Sequence, residues 1–110
     1  MTDHGEIIFE VIGQVNEHGG ATGHSVAFIE LSPQSASLSH YHKIEEETYI
    51  IQQGTAKMIV DDQVYNLQPG EICLIKPGMV HQIMNEHASE PLSFIAICSP
   101  PWEPDDTFLK

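Results

Sequence analysis

Short apolar stretches alternate with glycine- and proline-containing turns along most of this chain. The stretches are rich in β-branched and aromatic residues, which is typical of β-strands. Strands are therefore predicted at residues 7–12, 25–31, 48–53, 55–60, 64–67, 71–75, 80–84 and 91–98, with a further strand that carries His40 and His42. No stretch has the apolar spacing of an amphipathic helix. The pattern predicts an all-β sandwich or barrel, and a closed barrel is favoured.

The segments between the predicted strands have the composition of turns and loops. Residues 61–63 are expected to join two strands in a hairpin, and the polar, glycine-rich segment 13–23 is predicted to be a loop. The proline-rich C-terminal tail, residues 99–110, cannot continue a central strand because proline has no N–H to donate. We expect Trp102 in this tail to pack against the barrel wall or a partner subunit. A lid over a site is the alternative.

Length and composition fit a single domain that covers residues 1–110. Of the 110 residues, 41% are hydrophobic and 18% are charged, which is enough for one core. No apolar run approaches the roughly 20 residues of a membrane span. The N-terminal residues lack the basic and apolar profile of a signal peptide, so we expect a soluble, cytoplasmic protein with no membrane partner.

Charge and cysteine usage narrow the classes of partner. The formal net charge of −12 argues against nucleic acid, which binds clustered Lys or Arg. All four basic side chains are lysines, so the chain has no planar, bidentate clamp for a carboxylate or phosphate. Cys73 and Cys98 lie in apolar stretches without the paired spacing of a zinc site. Both are expected to be buried small hydrophobes, and a cytoplasmic location disfavours a disulfide.

The histidine pair His40 and His42 gives the first indication of chemistry. On an extended strand, residues two apart project from one face, about 6–7 Å from each other. Glu47 begins the next predicted strand and can lie beside them. Neutral imidazole and carboxylate are common ligands of divalent metal ions, so this stretch is half of a metal site. The alternative is an edge strand with solvent-facing histidines and a solvated, glutamate-rich turn.

A third imidazole strengthens the metal interpretation. His81 follows the turn at Pro77 and Gly78 and begins a predicted strand, so it can point inward from the mouth of a barrel. Ile83 and Asn85 share its face by the two-residue period of a strand. The remaining histidines have no partner at ligand spacing and are expected at the surface: His4, His18, His24 and His87.

These stretches resemble the two motifs of the cupin family, at residues 39–54 and 70–85. The first motif is His-X-His, three or four residues, Glu, six residues and Gly, and it is matched here by His40, His42, Glu47 and Gly54. The second motif places a glycine, a proline-glycine turn, a histidine and an asparagine in register, and it is matched by Gly70, Gly78, His81 and Asn85. Two positions depart from the pattern. Lys76 replaces the first proline of the second motif, and Gln34 stands where a glycine often precedes the histidine pair.

The resemblance implies a cupin double-stranded β-helix, a jelly-roll barrel, that holds one divalent metal ion. The ligands carried over are His40, His42, Glu47 and His81, and the ion would be iron, manganese, nickel or zinc. Glu47 is preferred to Glu45 and Glu46 because of its spacing to Gly54 and because it shares a strand face with Tyr49 and Ile51. A homodimer is also implied by the resemblance.

Three imidazoles and one carboxylate around a divalent ion leave a net charge of about +1 and two open positions in octahedral geometry. Such a centre can polarise a carbonyl or hold a substrate beside dioxygen. The resemblance implies a small-molecule enzyme, with dioxygenase-like cleavage of an enolic or phenolic substrate as the leading reaction. The alternatives are a non-catalytic, metal-held ligand-binding protein and a sugar isomerase or epimerase, whose phosphate would lack an arginine. No catalytic residue is identified; candidate bases are Glu46 and Tyr49, and candidate cavity-lining residues are Lys57, Met58, Met79, Met84 and Phe94.

Overall fold

The computed structural model describes residues 2–3, 6–12 and 23–110. The strands of this part of the chain are β1 (Thr2–Asp3), β2 (Glu6–Ile12), β3 (Ser25–Leu31), β4 (Ser35–Ala36), β5 (His40–Tyr41), β6 (Glu46–Gln53), β7 (Ala56–Val60), β8 (Gln63–Leu67), β9 (Ile72–Ile75), β10 (His81–Asn85), β11 (Leu92–Ser99) and β12 (Phe108–Leu109). A single 3-10 turn, Pro104–Asp106, is the helical structure in the described residues, and it is far too short to span a bilayer. The all-β prediction is confirmed.

Two antiparallel sheets form the domain. The first has the strand order β1-β2-β3-β11-β6-β9, and the second has the order β12-β5-β10-β7-β8, with β4 also paired to β10. Neighbours in both sheets include strands far apart in sequence, such as β3 beside β11 and β5 beside β10. This is the two-sheet jelly roll that the resemblance to the cupin motifs implied.

The core lies between the sheets and follows the two-residue period of the strands. In β6 the buried residues are Glu47, Tyr49 and Ile51, and in β10 they are His81, Ile83 and Asn85. The apolar core contains Ile29, Leu31, Tyr49, Ile51, Ala56, Met58, Val60, Ile75, Ile83, Leu92, Phe94 and Ala96. The predicted shared faces of β6 and β10 are therefore confirmed, and both faces mix core residues with polar residues of the cupin motifs.

The same period corrects two of the residues predicted to line a cavity. Lys57 lies between the inward-facing Ala56 and Met58, and its Nζ pairs with a Glu86 oxygen at 3.6 Å on the outside of the sheet. Met84 likewise lies between two buried residues of β10 and is only half-buried. Met58 and Phe94 are fully buried, and Met79 packs against the core.

Other surface predictions have mixed outcomes. His24 and His87 are exposed and Cys98 is buried, as expected, but Cys73 is only half-buried because it lies on the edge strand β9. Neither cysteine forms a disulfide. Trp102 is 42% exposed, so it is only partly covered by the rest of this chain, and its packing against a partner subunit stays a prediction. The predicted loop 13–23, apart from Gly23, and the predicted surface histidines His4 and His18 lie outside the described residues.

Candidate metal centre

The four residues of the predicted ligand set meet between the two sheets. His40 in β5 is the direct cross-strand neighbour of His81, the first residue of β10, so both come from the second sheet. His42 follows β5, and Glu47 enters from β6 in the first sheet. The loop after His42 is held to the turn before His81 by a hydrogen bond from the Gly78 N–H to the His42 carbonyl, at 2.6 Å. The two sequence motifs are thus joined directly.

The donor atoms of these side chains converge on one point. One nitrogen or oxygen from each of His40, His42, Glu47 and His81 lies within 4.8 Å of every other. The Nε2 atoms of His42 and His81 are each 2.9 Å from the same Glu47 Oε1. All three atoms are buried, and none makes a hydrogen bond of acceptable geometry. Buried polar atoms without hydrogen bonds are uncommon in folded proteins, so this convergence calls for a bound partner.

Hydrogen bonds on the far side of each ring define the histidine tautomers. The Nδ1 atoms contact backbone carbonyl oxygens: Leu38 for His40 at 2.7 Å, Asp106 for His42 at 2.9 Å and Met79 for His81 at 3.1 Å. A carbonyl oxygen only accepts, so each Nδ1 carries the proton and donates it. In the neutral rings, each Nε2 therefore has a free lone pair. This is the arrangement that metal-binding histidines use.

The spacing of the donors fits a divalent ion. Two ligands at right angles around an ion, each about 2.1 Å from it, lie about 3 Å apart, and opposite ligands lie about 4 Å apart. The two contacts of 2.9 Å match the first of these values, and all four donor atoms lie within 4.8 Å of one another, near enough to surround one ion. Three imidazole nitrogens and one carboxylate oxygen suit iron, manganese, nickel or zinc. The residues present thus fit a metal ion, whose identity their chemistry does not select.

Burial and mutual charge set the protonation of the cluster. Burial raises the pKa of Glu47, but the adjoining His42 and His81 imidazoles outweigh it and hold that pKa well below its ordinary value. For His42, burial acts to lower the pKa, but the Glu47 carboxylate outweighs it and raises the pKa to about 9. Burial and the His81 ring lower the pKa of His40. Glu47 is therefore the anion around which the imidazoles are arranged.

Residues outside the predicted ligand set also contact it. The Cys98 thiol donates to Glu47 Oε2 at 3.3 Å, which leaves Oε1 facing the imidazoles. Glu45, which the sequence interpretation set aside, is buried; burial is the main cause that raises its pKa to about 7. Its Oε1 lies 3.9 Å from His42 Nδ1. Asp106, which was not singled out from the sequence, is buried beside the same imidazole and completes a second group of possible ligands with His42 and Glu45.

Neither candidate general base, Glu46 or Tyr49, can accept a proton at the cluster. Glu46 is exposed on the opposite face of β6, so its role as a candidate base is wrong for reasons of strand parity. Tyr49 is buried, with its ring centroid 6.0 Å from that of His81. Burial raises the pKa of its phenol well above the ordinary value, so it stays protonated and can donate but not accept a proton. Neither of these two candidate residues therefore presents a free base to the cluster.

Comparisons with known proteins support this interpretation of the fold. The sequence model of the Cupin domain family matches residues 27–98. An uncharacterized protein of Methanocaldococcus jannaschii is 30% identical over 107 residues, which cover 97% of this chain and 83% of that protein. The family model covers more than half of the chain.

Solved structures of proteins with different names have the same fold. The polyketide cyclase RemF from Streptomyces resistomycificus matches with a TM-score of 0.78 at 18% identity, over 96% of this chain and 70% of that chain. A sugar phosphate isomerase from a cupin superfamily of Silicibacter pomeroyi matches with a TM-score of 0.73 at 22% identity, over 86% of this chain and 59% of that chain. At these identities the likeness shows the fold alone.

Proposed function

The chain belongs to the cupin family, and from this premise we propose that it is a metal-dependent enzyme that acts on a small molecule. The leading reaction is dioxygenase-like cleavage of an enolic or phenolic substrate. The observation that carries the proposal is the convergence of buried donor atoms, with no hydrogen bond on His42 Nε2, His81 Nε2 or Glu47 Oε1. When bound there, a divalent metal supplies a Lewis acid and, if it is iron, a site for dioxygen beside the substrate.

The charges around the cluster favour a substrate without a separate anionic group. Of the four lysines, all in the described residues, Lys43 lies over the Phe108 ring and Lys57 pairs with Glu86. Lys76 and Lys110 are exposed. With no arginine in the chain, no guanidinium can bind a carboxylate or phosphate of the substrate. An enolate or phenolate oxygen, whose charge is neutralised at the centre itself, fits better than a sugar phosphate.

The protein's own residues have definite tasks in this proposal. His40, His42 and His81 present Nε2 because their Nδ1 atoms donate to carbonyl oxygens. Glu47 supplies the negative charge, and the Cys98 thiol orients it. The phenol of Tyr49, buried beside His81, remains a proton donor on the core side of the site. The apolar core around it excludes water from that side.

One observation favours a second candidate function. In this alternative the protein binds a small ligand through a metal ion without catalysing a reaction. Neither of the two candidate bases named from the sequence presents a free base to the cluster, since Glu46 faces solvent and Tyr49 holds its proton. Oxidative cleavage at a metal does not require such a base, but isomerisation of a sugar does. The isomerase and epimerase alternative, although suggested by the Silicibacter pomeroyi structure, is therefore the weakest.

We also propose that the partner of this chain is a second copy. Five apolar residues cross the outer face of the first sheet in direct register: Phe9, Phe28, Ile95, Ile50 and Ile72. Phe9 and Ile72 are both 61% exposed and Phe28 is 45% exposed, which is costly in water unless another surface covers them. Sedimentation should show a dimer that Phe28→Glu converts to a monomer. A native monomer would contradict the proposal.

The metal proposal is tested first by elemental analysis. Protein produced in rich medium without a His tag or chelator should contain about one divalent metal ion per chain. His81→Ala should lose it, while His24→Ala, which removes an exposed histidine, should retain it. A native protein that contains no metal and takes up none of iron, manganese, nickel or zinc would refute the metalloenzyme.

The metal-loaded protein then separates the two candidates. Oxygen consumption is measured with diphenols, flavonols and diketones, and turnover of sugars is followed in parallel. Oxygen uptake that depends on substrate and is lost in His81→Ala supports the dioxygenase-like reaction. If metal is bound stoichiometrically but no substrate is consumed, the binding protein is supported instead.

A further inference from the structure

The C-terminal tail lies against the loop that joins two of the candidate ligands. The Asp106 carboxylate accepts hydrogen bonds from three consecutive backbone N–H groups: Lys43 at 3.0 Å, Ile44 at 3.0 Å and Glu45 at 2.9 Å. These residues directly follow His42, and Asp106 is only 7% exposed. A buried carboxylate with three N–H donors makes strong, charge-assisted hydrogen bonds. The loop is therefore held by a residue more than 60 positions away in sequence.

The main chain of the same residue contacts the candidate ligand itself. The Asp106 carbonyl oxygen accepts the proton of His42 Nδ1 at 2.9 Å, in a buried hydrogen bond. Of the three imidazoles, His42 is the one whose Nδ1 partner is distant in sequence, because His40 and His81 each donate to a carbonyl two residues earlier. The His42 ring thus depends on the tail in a way that the other two rings do not.

Further contacts hold the tail in place. The Glu103 N–H donates to Glu45 Oε2 at 2.9 Å, and β12 pairs with β5 so that Leu109 lies opposite His40. The Lys110 N–H donates to the Ser39 carbonyl at 3.0 Å. These bonds surround Asp106 on both sides and leave it little freedom to move. Residues 103–110 consequently form one wall of the candidate metal centre.

We propose that Asp106 is a positioning residue of the metal centre and that Asp106 acts through His42. Its side chain holds the loop that carries His42, and its carbonyl fixes the imidazole with Nε2 turned toward the other ligands. The proposal rests on the metal binding proposed above. Partners that orient metal-binding histidines typically change metal affinity roughly 10- to 100-fold when they are removed.

The test compares two substitutions with the same change of charge. Asp106→Asn replaces a carboxylate oxygen with an N–H₂ group that cannot accept from the loop, whereas Asp105→Asn changes an exposed neighbour in the same 3-10 turn. Zinc affinity is measured by competition with a chromophoric chelator. Amide hydrogen exchange of Lys43, Ile44 and Glu45 is measured in chelator-treated protein. The visible spectrum of the cobalt-loaded protein reports the geometry of the ligands.

Support requires a joint result. In Asp106→Asn, amide exchange of the loop should accelerate, the zinc Kd should rise roughly 10- to 100-fold, and the cobalt spectrum should change. Asp105→Asn should leave all three as in the native protein. Faster exchange with native zinc affinity and an unchanged spectrum would make Asp106 a purely structural anchor and overturn the proposal. Unchanged exchange would overturn it as well.

Two provisions keep the result decisive. If Asp106→Asn does not fold, Asp106→Glu keeps the charge but displaces the carboxylate by one methylene group. It should still weaken zinc binding and change the cobalt spectrum, and native behaviour in both would overturn the proposal. If the native protein itself fails to bind zinc or any other divalent ion, both the proposed function and this inference are wrong. If the native protein binds zinc and the Asp106 variants bind it equally well, only the inference fails.

Discussion

Metal binding should release a proton from His42 near neutral pH. The adjoining Glu47 carboxylate, working against burial, raises the pKa of this imidazole to about 9. A group with that pKa is about 99% protonated at pH 7, whereas a histidine with its ordinary pKa of about 6.5 is only about 24% protonated. Because a protonated imidazole has no lone pair to give a metal ion, the proton must leave on binding.

The magnitude follows from the same pKa. The pKa of His40 is lowered, chiefly by burial, and that of Glu47 is lowered by the imidazoles despite its burial, so at pH 7 neither residue has an extra proton to release when a metal ion binds. His42 should therefore contribute close to one proton per metal ion. Between pH 7 and pH 8 the apparent affinity should rise about ninefold, whereas an unperturbed histidine would give a rise of only about 1.3-fold.

Isothermal titration calorimetry can measure both effects. Zinc is titrated into chelator-treated protein at pH 7 in two buffers with different enthalpies of ionisation, and the difference in observed heat gives the number of protons released. The apparent Kd is then compared at pH 7 and pH 8. A release near one proton supports the electrostatic argument. A release of about 0.2 protons, with nearly equal affinity at the two pH values, would refute the raised pKa of His42.

Three further predictions concern stability. In chelator-treated protein, urea unfolding should show that stability falls as pH rises from about 6.5 through 9, because the raised pKa of His42 stabilises the fold only while the ring is protonated. Gly54→Ala should lower the unfolding free energy by at least about 2 kcal/mol, since the φ of Gly54 is +87° and a Cβ would lie 2.7 Å from the Pro91 carbonyl oxygen. Gly70→Ala, with a φ of +88° and no such neighbour, should cost less in the same urea titration and so isolates the steric part. Gln34→Gly should raise the melting temperature by a few degrees, corresponding to about 0.5 kcal/mol. Gln34 is exposed and has a φ of 57°, a backbone conformation that is less strained for glycine. An unchanged or lower melting temperature in calorimetry would contradict this.

The sequence was informative where structure depends on local order. Strand parity placed Glu47, Tyr49 and Ile51 on one face, and the buried pattern of β6 agrees. The ligand set implied by the resemblance to the two cupin motifs also comes together in the structure. Each motif needs only one turn and one strand to direct its side chains. The same parity, applied to β7 and β10, would have excluded Lys57 and Met84 from the cavity. Nearness to the motifs in sequence does not decide which face of a strand a residue occupies.

The burial of Glu45 could not be predicted from the sequence, for a different reason. It lies one residue before β6, where the strand period no longer applies, and its surroundings depend on the tail. The Glu103 N–H binds its Oε2, and the Cys98 and Glu47 side chains lie nearby. From the sequence, the run Glu45–Glu47 is typical of a solvated turn. Only the fold shows that Glu45 is buried together with Glu47.

Asp106 shows where prediction from local sequence must end. Its partners are the backbone N–H groups of Lys43, Ile44 and Glu45, and every residue except proline has such a group. The side chains of the loop therefore do not indicate that a carboxylate binds there. The sequence of the tail likewise does not indicate which backbone groups Asp106 contacts. The ligands of a site can be found by residue type and spacing, but residues that hold a ligand through the main chain depend on tertiary structure alone. This is why the tail, which the sequence presented as a proline-rich terminus, becomes part of the candidate metal centre only after the chain has folded.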